Sequence, residues 1–288
     1  MKLALGTVQF GLPYGVSNRA GQVSFDCASE IMKQAWRAGI DTLDTAIAYG
    51  ESEQRLGEIG VTQWRIISKL PVIPESCIDV TAWVQSAIAD SLARLKLPKL
   101  YGLLLHRSEQ LLASQGEILY RALLSLKEAG QVTKIGVSVY DPSELDAIYP
   151  HFPFDLIQAP FNILDRRLIS SGWLTKLHQN GVEVHTRSAF LQGLLLMEAT
   201  KRPAKFNRWQ SLWEQWHSWL DNQGLSALQA CLGFVLSQLE IDQVIVGVES
   251  VRQLQEILAV VKKNFLSVPS SLMTEDIKLL NPSNWGSL

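Results

Sequence analysis

The feature that most constrains the fold of this chain is a regular alternation of short strand-like runs with segments of helical spacing. Between the runs lie amphipathic segments whose apolar residues recur with helical periodicity. Strands that alternate with helices in this way form parallel sheets. The predicted strands are Leu3–Leu5, Thr42–Leu43, Arg65–Ile67, Leu100–Leu105, Lys134–Val137, Leu156–Gln158, Glu183–Thr186 and Gln243–Val246.

The predicted helices are bounded by residues that commonly cap helices. Gly39, Gly130 and Gly181 follow three of them, at positions typical of helix C-termini. A further helical segment, ESEQRLGEIG, follows the second strand. The remaining predicted helices are Phe25–Ala38, Ile78–Leu95, Leu111–Ala129, Ser143–Tyr149, Leu174–Asn180 and Ser250–Lys262.

Eight strands alternating with helices predict an α/β fold, a (β/α)8 TIM barrel forming a single domain over residues 1–288. The length suits this fold, for which about 250 residues is typical. A doubly wound sheet is the alternative, and it would usually carry a GxGxxG-type pattern after its first strand. The sequence LGTVQFG after the first strand lacks that spacing, so we expect the barrel.

One connection, residues 190–222, is much longer than an ordinary strand-to-helix loop. It contains four tryptophans, of which the first three share one helix face: Trp209, Trp213, Trp216 and Trp219. We expect an extra helix packed on the barrel, because aromatic stripes at helical spacing usually fill cores. A lid over the barrel mouth is the alternative, since segments after barrel strands lie on the catalytic face. Residues 264–288 are expected to form a C-terminal tail.

Composition excludes several classes of protein. The formal net charge of −2 gives no sign of a nucleic-acid surface, and no apolar run reaches the roughly 18 residues of a membrane span. Three widely spaced cysteines, none in a CxxC pattern, argue against a disulfide framework. The histidines lack the spacing of zinc motifs, so no metal site is predicted. We expect a cytoplasmic protein.

Four ionisable residues stand where predicted strands end or in the loop just beyond: Asp44, Tyr49, Lys69 and His106. In a (β/α)8 barrel these positions share the catalytic face. A lysine ammonium would lower the pKa of Tyr49, and Asp44 would keep that lysine charged. A histidine could orient a substrate carbonyl through a hydrogen bond. Together they predict a proton donor facing a polarised C=O group; a Schiff-base enzyme with Lys69 as nucleophile is the alternative.

The segments LDTAIAYGESEQRLGE, IISKL and LLLHR resemble the aldo-keto reductase family, and the resemblance runs from end to end. It implies a (β/α)8 barrel that reduces an aldehyde or ketone, a small-molecule carbonyl substrate, with a nicotinamide cofactor that is usually NADPH. It also implies roles for the four residues. Tyr49 would be the general acid, Lys69 and Asp44 would tune it, and His106 would orient the carbonyl.

The same resemblance implies a cofactor site with two departures from the family pattern. Val139 replaces the usual asparagine, and Arg187 replaces the aromatic residue that stacks on the nicotinamide ring. The implied cofactor-binding residues are Gly6, Thr7, Asp44, Ser138, Gln158, Arg187, Ser188, Gly247, Ser250, Gln253 and Glu256.

Cofactor preference depends on the segment after the last strand. Gly247 and Gln253 stand where many NADPH-specific members carry a lysine and an arginine, which leaves Arg252 as the nearby cation. A 2′-phosphate needs charge-assisted partners. NADPH is expected from family habit, with NADH as the alternative. Val139 and Arg187 also keep open a non-catalytic nicotinamide-binding barrel that acts as a redox-sensing or interaction module, although all four catalytic candidates are retained.

Overall fold

Eight parallel strands close into a barrel in the computed structural model, which describes residues 1–261 and 268–288. Each strand pairs with the next along the chain, and the last pairs with the first. The predicted (β/α)8 fold is therefore confirmed. The strands are β1 Leu3–Gly6, β2 Thr42–Asp44, β3 Arg65–Leu70, β4 Leu100–Leu105, β5 Val132–Ser138, β6 Leu156–Pro160, β7 Glu183–Arg187 and β8 Gln243–Gly247.

Helices lie between the successive strands of the barrel. The α-helices are α1 Val8–Gly11, α2 Phe25–Arg37, α3 Ser52–Ile59, α4 Val80–Leu95, α5 Gly116–Glu128, α6 Glu144–Ile148, α7 Arg167–Ser170, α8 Trp173–Gln179, α9 Gln210–Gln223, α10 Ala227–Leu236, α11 Val251–Val260 and α12 Ile277–Leu280. Short 3₁₀ helices span Ser108–Leu112, Leu194–Leu196, Ala199–Lys201, Ala204–Trp209, Ser270–Leu272 and Pro282–Ser287. Within the described ranges, no helix is both long enough and apolar enough to cross a bilayer.

One helix prediction is wrong, and one helix before the last strand is missing from the predicted set. The single helix predicted over Leu111–Ala129 is wrong, because the chain makes a 3₁₀ turn first and α5 begins only at Gly116. A Cβ on Gly116 would lie 1.9 Å from the carbonyl oxygen of Leu111, so a tight turn separates the two helices. Helix α10 is absent from the predicted set, although its capping box of Ser226 and Gln229 is a recognisable signal.

The final predicted elements are only partly described. Helix α11 ends at Val260 in the structure, and the predicted end at Lys262 lies outside the described residues. Residues 264–267 of the predicted tail also lie outside them. From residue 268 onward the tail forms the last short helices, and Trp285 is buried.

Strand register sets the carboxyl ends of β1, β2 and β8 level with one another. Gly6 is paired with Asp44 on one side and with Gly247 on the other. Thr7 strengthens this edge, since its backbone N–H and its hydroxyl both donate to the carbonyl oxygen of Asp44, at 2.9 and 3.0 Å. The edge is the catalytic face of a (β/α)8 barrel.

A buried carboxylate fixes α3 directly behind the loop that carries Tyr49. Glu53 accepts hydrogen bonds from the hydroxyls of Ser68, at 2.6 Å, and Ser91, at 2.7 Å. Arg94 donates to it through Nε and Nη2, at 2.9 and 2.7 Å. The charge of Glu53 is paired and both of its oxygens are hydrogen-bonded, as a buried carboxylate requires. These bonds orient α3 against β3 and α4.

Helix α9 packs its tryptophans into the protein. Trp213 and Trp216 are almost fully buried. Their indole N–H groups donate to the carbonyl oxygens of Phe206, at 2.9 Å, and Leu195, at 3.3 Å. Neither ring lines the cavity that Asp44 and Tyr49 border. These contacts favour a packing role for α9 over that of a lid.

Trp213→Ala is expected to lower the free energy of unfolding by about 3–5 kcal/mol, because it removes a buried ring and leaves a cavity. Denaturant titration measures the loss. Trp36→Ala, at a half-exposed tryptophan, is the control and should cost less. A change in the substrate KM without a matching loss of stability would instead favour the lid.

Candidate active site

A buried ion pair lies at the ends of β2 and β3. Lys69 Nζ donates to Asp44 Oδ1 at 2.6 Å and to the carbonyl oxygen of Thr45 at 2.9 Å. Gln158 Nε2 donates to the other carboxylate oxygen of Asp44 at 2.7 Å. Both oxygens of Asp44 are therefore hydrogen-bonded, as a buried charge requires. Gln158 was predicted as a cofactor residue, and in this structure its amide holds Asp44.

Tyr49 lies against this pair and beside His106. The Lys69 ammonium is 5.1 Å from the centroid of the Tyr49 ring. The His106 ring meets the same ring edge-on, with centroids 5.8 Å apart. Among residues 1–261 and 268–288, the Tyr49 hydroxyl makes no hydrogen bond, and the residue lines a cavity. The structure thus brings all four predicted catalytic residues together and leaves the phenol available to a ligand.

The electrostatics of Tyr49 differ from the sequence-based expectation. Burial raises the pKa of Tyr49 well above its usual range, the Asp44 charge raises it further, and Arg187 opposes both. The net direction is opposite to the lowering predicted from Lys69, because burial is the largest cause of the shift and the Asp44 charge adds to it. Tyr49 is therefore a protonated phenol at neutral pH, able to donate a proton.

His106 is neutral in this environment. Burial lowers the pKa of His106 to about 4, and the charges of Lys69 and Arg187 act in the same direction. At neutral pH the imidazole therefore carries a single N–H donor, which suits a hydrogen bond to a carbonyl oxygen without competing with Tyr49 as the acid.

Lys69 is placed to support its neighbours rather than to react. Burial lowers the pKa of its ammonium, and the Asp44 charge opposes that shift. The side chain is 1% exposed and does not line the cavity. Lys69 Nζ is therefore not presented to a substrate in the cavity, which disfavours the Schiff-base alternative.

A cavity extends from Asp44 and Tyr49 toward α11. The predicted cofactor residues that line it are Gly6, Thr7, Asp44, Arg187, Ser188, Gly247, Gln253 and Glu256. Ser138 and Gln158 are buried and Ser250 is not part of the lining either. The Ser250 hydroxyl accepts from the backbone N–H of Gln253 and caps α11. The structure thus places most of the predicted cofactor residues around one cavity.

Gln9 lines the same cavity and is absent from the predicted set. It is 8% exposed, and its Oε1 has no hydrogen-bond partner within the described part of the chain. A Cβ on Gly247 would lie 2.6 Å from Gln9 Nε2, so a larger residue there would displace this amide. A buried acceptor without a partner fits a ligand that carries an N–H or O–H donor.

The backbone after β7 is strained where it borders the cavity. Ser188, Leu191 and Gln192 have φ values of 64°, 47° and 53°, in the left-handed region that non-glycine residues seldom occupy. Asn162 Nδ2 donates to the carbonyl oxygen of Ser188 at 3.2 Å and helps to hold the turn. Such strain is typical of functional loops.

Within the two described ranges, no three His, Cys, Asp or Glu side chains come together in a way that could hold a metal ion. The groups that the site does bring together are Tyr49, the Asp44–Lys69 pair, His106 and the cavity beside them.

Comparison with solved structures shows the fold. An aldo-keto reductase from Bacillus halodurans in its holo form superposes with a TM-score of 0.74 at 19% identity, covering 96% of this chain and 94% of that one. A protein of Pseudomonas aeruginosa assigned to the same family gives a TM-score of 0.67 at 23% identity, covering 90% of this chain and 89% of that one.

Sequence comparison bears on the family. The NADH-specific methylglyoxal reductase of Escherichia coli (strain K12) is 25% identical over 167 residues, which is 53% of this chain and 51% of that enzyme. The match therefore spans about half the length of this relative. The model of the aldo/keto reductase family matches residues 2–269, nearly the whole chain. The chain belongs to the aldo/keto reductase family, whose members are nicotinamide-dependent oxidoreductases of small carbonyl compounds.

Proposed function

We propose that this protein reduces an aldehyde or ketone to an alcohol with a nicotinamide cofactor, and that Tyr49 is the general acid. One observation carries the proposal. The Tyr49 hydroxyl makes no hydrogen bond within the described residues, and its side chain lines a cavity beside a buried Lys69–Asp44 pair. A protonated phenol held there suits proton donation to a ligand oxygen.

The bond changes balance with a single hydride and a single proton. When bound, the nicotinamide supplies a hydride, which adds to the carbonyl carbon. Tyr49 gives its phenolic proton to the carbonyl oxygen, so the C=O double bond becomes an alcohol. The phenolate left behind lies near the Lys69 and Arg187 charges and recovers its proton from solvent. His106, as a neutral donor, orients the carbonyl oxygen toward Tyr49.

The cavity residues fit a nicotinamide dinucleotide. Gln9 offers an unpartnered acceptor, and Ser188 offers a hydroxyl donor on the wall of the same cavity as Tyr49. Gly247, Gln253 and Glu256 line the other end of the cavity, where family resemblance expects the adenosine. These residues would hold the cofactor with its reactive ring toward Tyr49.

Reduction of 4-nitrobenzaldehyde with NADH or NADPH tests the proposal. We expect cofactor oxidation that depends on the aldehyde, with 4-nitrobenzyl alcohol formed in equal amount. Cofactor binding without turnover across a panel of aldehydes and ketones would contradict it and favour the non-catalytic binding module.

We further propose that NADH binds more tightly than NADPH. The carboxylates of Glu249 and Glu256 line the adenosine end of the cavity, and among the described residues Arg187 is the only Lys or Arg in its lining. Arg252, the predicted phosphate contact, bonds Glu256 at 2.8 Å instead. A 2′-phosphate would meet these carboxylates, whereas a ribose hydroxyl can donate to one. The E. coli relative is NADH-specific, in line with this proposal.

NADH is expected to bind at least about tenfold more tightly than NADPH, a difference of about 1.4 kcal/mol. Glu256→Gln should bring the dissociation constants of NADH and NADPH closer together, because it removes a charge that repels the 2′-phosphate. Titration of tryptophan fluorescence measures both dissociation constants. Glu117→Gln, at a surface glutamate on α5 paired with Arg121, is the control. Tighter binding of NADPH to the unmodified protein would refute the preference.

The pH profile follows from the two shifted groups. A raised pKa keeps Tyr49 protonated until the pH exceeds its usual value of about 10, and His106 is neutral above its pKa of about 4. We expect kcat/KM for a neutral aldehyde to stay level between about pH 6 and pH 9. A decline centred between pH 7 and about pH 8 would mean that the acid has a lowered pKa, as the sequence alone suggests.

A further inference from the structure

Two arginines contact one tyrosine ring at the mouth of the barrel. The guanidinium carbon of Arg187 is 4.5 Å from the centroid of Tyr140, and that of Arg107 is 4.7 Å from it. Each contact is a favourable cation–π interaction. Two positive charges on one ring also repel each other, and a shared anion would relieve that repulsion.

Neither arginine has an acidic partner within residues 1–261 and 268–288. Arg187 Nη2 donates to the carbonyl oxygen of Val139 at 3.0 Å, and Nη1 makes a long contact of 3.4 Å to Ser188 Oγ. The guanidinium of Arg107 makes no hydrogen bond within the same ranges. Since a guanidinium carries five N–H donors, most of the donors of this pair are available.

The acids nearest in sequence to Tyr140 are bound elsewhere. Asp141 forms an ion pair with Arg167. Glu144 Oε1 accepts from the backbone N–H groups of Tyr140 and Asp141, at 2.9 and 2.7 Å, and its other oxygen accepts from the Ser108 hydroxyl. They therefore do not neutralise the two arginines.

The arginines flank the place where the carbonyl would react. Arg187 lines the cavity together with Tyr49, and Arg107 directly follows His106. Arg107 and His106 are not part of the cavity lining that would hold the cofactor. A carbonyl compound therefore has to lie on the side of Tyr49 where Arg107 is found. Arg107 and Arg187 both contact the Tyr140 ring.

We propose that Arg187 and Arg107 bind an anionic group of the substrate, so that the preferred substrate is a carbonyl compound bearing a carboxylate or a phosphate. Planar guanidinium groups bind both anions through paired hydrogen bonds. The inference rests on the proposed reduction at Tyr49, because it names the substrate class of the same site. It also gives Arg187 a role other than stacking on the nicotinamide ring.

Matched substrate pairs test the inference. The carboxylate pair is 4-carboxybenzaldehyde with 4-nitrobenzaldehyde, and the phosphate pair is glyceraldehyde 3-phosphate with glyceraldehyde. We expect a higher kcat/KM for the anionic member of at least one pair, through a lower KM. Arg107→Gln and Arg187→Gln should each reduce the anionic-to-neutral ratio by at least about tenfold, the loss of one charge-assisted contact. The substrate pair with the larger anionic-to-neutral ratio of kcat/KM identifies the anion as a carboxylate or a phosphate.

The control is Arg208→Gln, because Arg208 also stacks on an aromatic ring, with its guanidinium carbon 4.9 Å from the Trp209 ring, and does not line the cavity. It should leave both ratios unchanged. If the anionic-to-neutral ratio of kcat/KM is the same in the unmodified protein, Arg107→Gln and Arg187→Gln, the inference is overturned while the reductase activity stays in place. An equal loss for charged and neutral aldehydes in Arg187→Gln, together with weaker NADH binding, would reassign Arg187 to the cofactor and likewise overturn it.

Calorimetry separates failure of the inference from failure of the proposed function. The probes are 4-(hydroxymethyl)benzoate and 4-nitrobenzyl alcohol, the products expected from the carboxylate pair, titrated into the protein with NAD⁺. Tighter binding of the benzoate that is lost in Arg107→Gln supports the anion site even if no aldehyde is turned over. Equal binding of both alcohols, without turnover, would overturn both proposals.

Discussion

Tyr49→Phe is expected to lower kcat for aldehyde reduction by about a hundredfold to ten-thousandfold, the range associated with a positioned general acid. The change removes only the hydroxyl oxygen and keeps the ring that packs beside Lys69 and His106. Steady-state reduction of 4-nitrobenzaldehyde measures the effect, and NADH titration checks that the cavity still binds the cofactor.

Tyr14→Phe is a matched control for this experiment. Tyr14 lines the same cavity, but its hydroxyl accepts a hydrogen bond from Gln192 Nε2 at 2.9 Å. Burial raises the pKa of Tyr14 as well, so both phenols are protonated at neutral pH. We expect Tyr14→Phe to stay within about tenfold of the unmodified enzyme. A larger loss from Tyr14→Phe than from Tyr49→Phe would make Tyr14 the acid.

Lys69→Met is the second substitution with a large expected effect. It leaves the Asp44 carboxylate buried without its cation, and breaking a buried pair in this way costs about 3–5 kcal/mol. We expect a loss of this size in the free energy of unfolding from denaturant titration, together with a lower kcat. The double variant Lys69→Met/Asp44→Asn should recover part of the stability, because the unpaired charge is gone.

Lys201→Met is the comparison for this prediction. Lys201 pairs with Glu198 on the surface, where both side chains are more than half exposed. Such pairs contribute about 0–1 kcal/mol. Equal, small losses from Lys69→Met and Lys201→Met would mean that Asp44 and Lys69 do not form a buried pair in the folded protein.

Sequence pattern predicts the part of the site that depends on strand ends. Asp44 closes β2, Lys69 lies one residue from the end of β3, and His106 follows β4. In a closed parallel barrel, such positions converge whatever the loops do. This is why the fold and the convergence of Asp44, Lys69 and His106 follow from the spacing of apolar runs.

The remainder of the site depends on loop conformation and charge, which the pattern does not determine. Arg107 and Arg187 follow or end different strands, and only the folded loops bring both onto the Tyr140 ring. The pKa of Tyr49 is raised mainly by burial and further by Asp44, and burial in the folded site is not visible from the spacing of charged residues in the sequence. The Gln9 amide becomes part of the cavity because Gly247 leaves room for it.

Transfer of deuterium from labelled cofactor tests the central claim most directly. The protein is incubated with NADH deuterated at C4 of the nicotinamide ring and with 4-nitrobenzaldehyde, and the alcohol is analysed by mass spectrometry and NMR. We predict that one deuterium appears on the benzylic carbon, in proportion to cofactor oxidised. Tight binding of NADH with no deuterated alcohol from any aldehyde or ketone tried would contradict hydride transfer and leave a barrel that binds the cofactor without reducing a carbonyl.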